Sequence, residues 1–198
     1  LAPAGTLVVW VVIDLLRGER ATAIGAATAI VVGCVGITPA AGYISPGFSL
    51  LLGAVAALPS YAMIQWRPRT RLDESLDVLG AHGLAGLTGI VFIGVFAQHS
   101  WNGIADGAVF GNLTQLGWQI VAGLAAPAYA FAATFILLKL VGLVIPLRVA
   151  PTVESVGMDV VQHGEEAYNT GEGAILVHED VAHGRAHKRR EPKLEPSY

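Results

Sequence analysis

One histidine, His82, lies inside an apolar segment and has glycine and alanine on both sides of it. Among residues 78–138, the only charged side chain is that of Asp106. Imidazole is the side chain that exchanges a proton most readily near neutral pH, and an ionisable group without a partner is unfavourable in apolar surroundings. We therefore predict that His82 handles a proton or orients a polar substrate. The alternative is a structural histidine whose nitrogens are hydrogen bonded within the fold.

Three other residues are predicted to share a helical face with this histidine. Val78, His82, Gly86 and Gly89 follow the spacing i, i+4, i+8 and i+11, which places them on one side of an α-helix. The glycines have two interpretations, since they allow helix backbones to pack closely or leave room for a narrow lumen. We favour close packing for most of them.

Carboxylates precede the same segment. Residues 73–77 contain three acidic side chains, the last of them Asp77. Acceptors at this place bind the free N–H groups of a first helical turn and suit the helix dipole, so we predict Asp77 to be a structural helix cap. Asp14 and Lys139 lie near the ends of other apolar segments and are predicted to form pairs or to extend toward water.

Other catalytic chemistry finds no support in the sequence. It contains no His-Glu-x-x-His zinc motif, no Gly-x-Ser-x-Gly elbow and no phosphate-binding loop. The single cysteine, Cys34, excludes disulfides and thiolate metal sites. The histidines after residue 160 are too scattered to indicate a metal site. We predict no metal and no cofactor.

Composition indicates which elements position His82. The chain is 54% hydrophobic and 14% charged, against roughly 25% charged in a typical soluble domain. Residues 21–66 contain no Asp, Glu, Lys or Arg. This excludes a soluble globular protein, a disordered chain and a nucleic-acid binder. The predicted fold is all-α, a polytopic bundle of transmembrane helices.

Apolar runs of about 20 residues are needed to cross the hydrocarbon core. The first run is short, lacks the features of a signal peptide, and is expected to be the second half of a helix. We predict transmembrane helices within residues 1–150, an ordered cytoplasmic region at 151–170 and a disordered tail at 171–198. The five predicted membrane segments are 1–16, 22–42, 48–66, 79–97 and 118–146.

Basic residues alternate between the connections. The connections at 43–47 and 98–117 carry no Lys or Arg. Because basic residues favour the cytoplasmic side, the other connections and the C-terminus are predicted to be cytoplasmic. Their basic residues are Arg17, Arg20, Arg67, Arg69, Arg71, Lys139 and Arg148.

Three motifs resemble those of the ammonium transporter family (Amt/Mep/Rh). Residues 77–86 are similar to its Asp-Val-Phe-Gly-Val-His-Gly-x-x-Gly motif, and residues 36–43 to Gly-x-Thr-Pro-Ala-x-Gly-Tyr/Phe. Residues 157–168 are similar to Gly-Leu-Asp followed by His-Gly-Glu-x-Ala-Tyr. The motifs occur in the family's order, and the resemblance covers about residues 1–170.

The resemblance implies ammonium or ammonia transport through a channel-like pore. In the family, eleven helices form one pore per subunit of a trimer. The five segments here resemble helices seven to eleven, so we expect the C-terminal part of such a protein. His82 would be the second histidine of a pair that orients ammonia or relays a proton, and Val78 would narrow the pore beside it.

The resemblance also implies regulation from the cytoplasmic side of the plasma (inner) membrane. The ordered region would couple the pores of a homotrimer, and a PII signalling protein would be a possible partner there. Two other functions are weighed: an ammonium sensor of the same fold, and an intramembrane enzyme with His82 as general base. The enzyme is disfavoured because no acid or nucleophile faces His82. The predicted regulatory residues are Gly157, Asp159, His163, Gly164, Glu165 and Tyr168.

Overall fold

The computed structural model describes residues 1–164, and within that range every regular element is a helix. Three helices come first: α1 (Ala2–Leu16), α2 (Ala23–Ile37) and α3 (Pro46–Trp66), the last continued by a 3₁₀ turn at Arg67–Arg69. A π-helical turn, Leu79–Leu84, leads directly into α4 (Ala85–Phe96). The remaining elements are α5 (His99–Asn102), a 3₁₀ turn (Ala108–Phe110), α6 (Leu113–Gly142), α7 (Pro151–Val156) and a second π-helical turn (Asp159–His163).

The apolar helices lie at the five predicted segments, with different lengths. Three helical stretches are long and apolar enough to cross a membrane: Pro46–Arg69, Leu79–Phe96 and Leu113–Gly142. The first two helices have 15 residues each, about 22 Å at the α-helical rise, which is less than the hydrocarbon thickness. The all-helical membrane fold is confirmed, whereas the count of five spans stays a prediction.

Local sequence signals explain where these helices begin. The Thr22 hydroxyl accepts a hydrogen bond from the Gly25 N–H at 3.0 Å and caps α2. The Asn112 side chain accepts from the Gln115 N–H at 3.2 Å, so α6 begins at Leu113 rather than at the predicted residue 118. This helix also ends earlier than predicted, at Gly142.

Helices of the first compact unit, residues 1–132, pack at backbone distance. A Cβ added to Gly53 on α3 would overlap the carbonyl group of Ala2 on α1. A Cβ added to Gly89 on α4 would overlap the carbonyl oxygen of Gly36 on α2. Such contacts supply much of the association energy of helices in lipid. One buried cluster contains Trp10, Ala29, Val32, Ala56, Tyr61, Ala81 and Ala85, and a second contains Ala40, Ile44, Leu52, Phe92, Ile93 and Ala97.

A second compact unit begins at Ala133. Its described part contains an ion pair. The guanidinium of Arg148, which precedes α7, donates to the carboxylate of Glu154, which lies within α7, at 3.1 Å. The predicted boundaries at residues 150 and 170 stay predictions. Residues 165–198, which include the predicted disordered tail, lie outside the described residues.

Candidate functional site

His82 lies in the π-helical turn at the start of the fourth apolar segment, and its side chain is exposed. Val78, which precedes this turn, is 48% exposed. The imidazole makes no side-chain hydrogen bond with any residue between 1 and 164. Among these residues, His82 is therefore not a buried histidine whose ring nitrogens are hydrogen bonded within the bundle, which was the structural alternative. Both predicted pore residues lie on the surface of the first unit.

The predicted shared face is only partly correct. Gly89 is buried against Gly36 on α2, whereas Val78 and His82 are exposed. A π turn holds more residues than an α turn, so it rotates the residues that follow it relative to those before it. The spacing rule assumed a continuous α-helix and therefore placed Gly89 on the wrong side.

The glycines around the histidine divide into two groups. Gly80 packs on α3, where an added Cβ would lie 2.7 Å from the Ile64 side chain and 3.3 Å from the Ser60 carbonyl oxygen. Gly83 has only the Leu79 side chain nearby, and an added Cβ at Gly86 would lie 4.0 Å from its nearest neighbour. Close packing therefore accounts for Gly80 and Gly89, and there is space beside His82.

The predicted side-chain cap is not Asp77. The Asp77 carboxylate instead accepts a hydrogen bond from the Arg67 Nε at 2.6 Å. Glu74 takes the capping role, since its carboxylate accepts from the Leu79 N–H at 2.6 Å. Asp77 contributes its main-chain carbonyl, which accepts from the Ala81 N–H at 2.8 Å. The preceding loop brings Arg67 close enough to compete for the Asp77 carboxylate.

The other ionisable side chains of the apolar segments also have partners. Asp14 is buried on α1, and its carboxylate accepts a hydrogen bond from the Tyr61 hydroxyl at 2.8 Å. The Trp10 ring contacts the Tyr61 ring edge-on, with centroids 4.9 Å apart. Sequence reasoning missed Tyr61, although Trp10 and Asp14 at spacing i, i+4 indicated a polar position facing a neighbouring helix. In the second unit, the Lys139 ammonium lies 5.4 Å from the centre of the Phe135 ring.

Four of the six predicted regulatory residues lie in or next to one turn of the second unit. The Gly157 carbonyl accepts from the Val161 N–H at 3.1 Å, and Gly157 and Gly164 have φ angles of +110° and +67°. Asp159 and His163 lie in the π-helical turn between them and are exposed. Glu165 and Tyr168 lie outside the described residues.

The described residues, 1–164, form no cluster of side chains that could coordinate a metal ion. Between residues 1 and 164, no three His, Cys, Asp or Glu side chains come close enough together to hold an ion. The exposed imidazole of His82 therefore belongs to no such group and makes no side-chain hydrogen bond within that range.

Comparisons with known proteins converge on one family. A model described as the Ammonium Transporter Family matches residues 1–168. The chain is similar to an ammonium transporter of Bacillus subtilis, with 34% identity over 84% of this chain and 42% of the relative. It is also similar to ammonium transporter Amt1 of Archaeoglobus fulgidus, with 39% identity over 81% of this chain and 40% of the relative.

A solved structure gives the same result for the fold. The crystal structure of Saccharomyces cerevisiae Mep2 aligns with a TM-score of 0.70 and 31% identity, over 76% of this chain and 35% of that one. The chain thus spans about 40% of the length of the curated relatives that it matches.

Proposed function

From the premise that the chain belongs to the ammonium transporter family, we propose that it takes part in moving ammonium, or the ammonia derived from it, across a membrane. The observation that carries the proposal is the exposed His82, on a helix whose other membrane-depth residues carry no charge. This is a family of transporters, so we propose transport rather than catalysis as the role of the histidine.

The chemistry of the imidazole suits this role. A neutral imidazole presents one N–H donor and one acceptor nitrogen, so it orients ammonia, which has three N–H groups and one lone pair. A bare ammonium ion in an apolar passage is strongly disfavoured. We therefore propose that ammonium loses its proton before or within the pore, that His82 orients the neutral molecule or relays the proton, and that Val78 narrows the passage.

Arrangement and partners form a separate proposal. The exposed large apolar side chains along α6, among them Leu124, Phe131 and Leu138, support contact with lipid or other helices. We propose a plasma-membrane location with the C-terminus in the cytoplasm, and a homotrimer as in the resemblance above. The turn at Gly157–Gly164 would then be the place where a neighbouring subunit or a PII-type protein acts.

Complementation tests the transport proposal. The reading frame, with any codons upstream of Leu1, is expressed in a strain that lacks ammonium uptake, and uptake of labelled methylammonium is measured. We expect His82→Ala to lower uptake roughly a hundredfold or more, in the range of one lost general acid–base group. His99→Ala is the matched control, since His99 is exposed on a connection and is hydrogen bonded through its backbone, whose N–H donates to Asp106 and whose carbonyl accepts from Gly103.

Three outcomes separate the alternatives. Unchanged uptake by the His82→Ala variant would overturn the role of the histidine while leaving transport intact. Absence of uptake by a correctly inserted parent protein would overturn transport itself. An ammonium-dependent signal from that same non-transporting protein would instead establish a sensor.

A further inference from the structure

We propose that Arg67 is a positioning residue: its ion pair with Asp77 holds the π-helical turn in the orientation that exposes Val78 and His82. The inference rests on the proposed function, because the orientation of these side chains matters for transport only if they face the substrate. Charge patterning alone predicts only the side of the membrane on which Arg67 lies. The ion pair gives the same residue a structural role.

The first support is the geometry of the ion pair. Arg67 Nε lies 2.6 Å from Asp77 Oδ1, and the two side chains are only 23% and 29% exposed. Hydrogen bonds between two charged groups are shorter and stronger than neutral ones. Partial removal from water strengthens the attraction relative to a fully exposed pair.

The second support is the backbone of Asp77. Its φ angle is +52°, the only positive value at a non-glycine position among residues 1–164. Left-handed backbone is unfavourable for a side chain with a Cβ, although Asp and Asn tolerate it best. The Asp77 carbonyl also accepts the hydrogen bond from Ala81 that begins the turn. Asp77 is thus held by its side chain at the point where its backbone sets the direction of the helix.

The third support is that Arg67 is itself fixed. Its backbone N–H donates to the Met63 carbonyl at the end of α3, and its carbonyl accepts from the Thr70 hydroxyl at 2.7 Å. A second contact with α3 comes from Gly80, which packs against Ser60 and Ile64. The turn is therefore attached to α3 at two points.

A thiol-accessibility experiment measures this orientation directly. Val78→Cys is introduced together with Cys34→Ser, and any cysteine encoded upstream is replaced. The rate at which a small methanethiosulfonate reagent modifies the cysteine at position 78 is then measured in inside-out vesicles. We expect Arg67→Ala to change that rate by roughly threefold or more, the factor that corresponds to one net hydrogen bond. Arg69→Ala is the matched control, because Arg69 is exposed in the same connection and forms no ion pair with a described residue.

Substitutions of Asp77 separate the ion pair from the backbone. Asp77→Asn loses the charge but keeps an acceptor and tolerates the left-handed backbone, so its rate should change less than that of Arg67→Ala. Asp77→Gly loses only the ion pair and should resemble Arg67→Ala, whereas Asp77→Ala loses both and should change the rate most. With Val78 intact, uptake by Arg67→Ala should fall about tenfold through misplacement of the histidine, and Asp77→Asn should keep most of it.

Two results would overturn the inference. One is a modification rate in Arg67→Ala equal to that in Arg69→Ala. The other, where the parent protein does transport, is a changed modification rate in a variant whose uptake is unchanged. Because the modification rate is measured without transport, failure of the proposed function would leave this structural result readable by itself.

Discussion

A single hydroxyl satisfies a buried carboxylate near the end of α1. Asp14 is 8% exposed, and its carboxylate accepts a hydrogen bond from the hydroxyl of Tyr61, forty-seven residues further along the chain. The Arg17 guanidinium lies 5.9 Å from the centre of the same tyrosine ring. Because an unsatisfied buried carboxylate is more unfavourable than a lost neutral hydrogen bond, this contact is important for the stability of the helix pair.

At the residue scale, we expect Tyr61→Phe to lower the free energy of unfolding by about 1 to 3 kcal/mol, since it removes the donor and leaves the acceptor buried. Thermal stability of the detergent-solubilised protein measures this. Tyr43→Phe is the control, because the Tyr43 side chain is more exposed and the hydrogen bonds of this residue are made by its backbone N–H and carbonyl. Equal stabilities of the two variants would show that the hydroxyl contact contributes nothing.

Glycine has different uses in different helices. On α4, Gly89 lies against the Gly36 backbone, and a Cβ added to Gly89 would lie 2.7 Å from the Pro39 ring. On α6, a Cβ added to Gly117 would have no neighbour within 4 Å. Glycine is therefore a packing requirement at position 89 and not at position 117.

At the element scale, Gly89→Ala should force α2 and α4 apart and destabilise the protein by about 1 to 3 kcal/mol, as overpacking does. Gly117→Ala should be neutral or stabilising, by up to about 1 kcal/mol, because alanine favours the helix. The two melting temperatures, measured side by side in detergent, check this. A Gly89→Ala protein as stable as Gly117→Ala would contradict close packing of α2 on α4.

The two sides of the first unit differ in their connections. The two connections without basic residues meet, since the Gln98 side chain accepts from the Ser45 N–H at 3.0 Å and the Gln98 N–H donates to the Tyr43 carbonyl. On the other side, Arg67 pairs with Asp77, and Arg17 lies over Tyr61 near the end of α3. This arrangement supports the alternation that arginine placement predicts.

At the scale of the whole molecule, a membrane-impermeant thiol reagent applied to intact cells should modify Ser100→Cys but not Arg20→Cys, both in the Cys34→Ser background. Both positions are exposed in the structure, so a difference in modification reports the side of the membrane. After the cells are opened, both should react. Modification of Arg20→Cys in intact cells would reverse the predicted orientation.

Sequence was sufficient for the class of fold and for the family. Apolar runs, the absence of charge from residues 21–66 and the three motifs are local properties of the chain, and each survives in the structure or the comparisons. His82 became a candidate site residue for the same reason: an ionisable residue among apolar ones is visible without knowledge of any contact.

Contacts between distant residues required the tertiary structure. The partner of Asp77 proved to be Arg67 rather than a helix N-terminus, and the partner of Asp14 proved to be Tyr61. The π-helical turn at Leu79–Leu84 and the burial of Gly89 against Gly36 on α2 are likewise visible only in the structure. Spacing rules assume a regular helix and see only neighbours in the chain, whereas hydrogen-bond partners and helix rotation depend on which groups folding brings within reach.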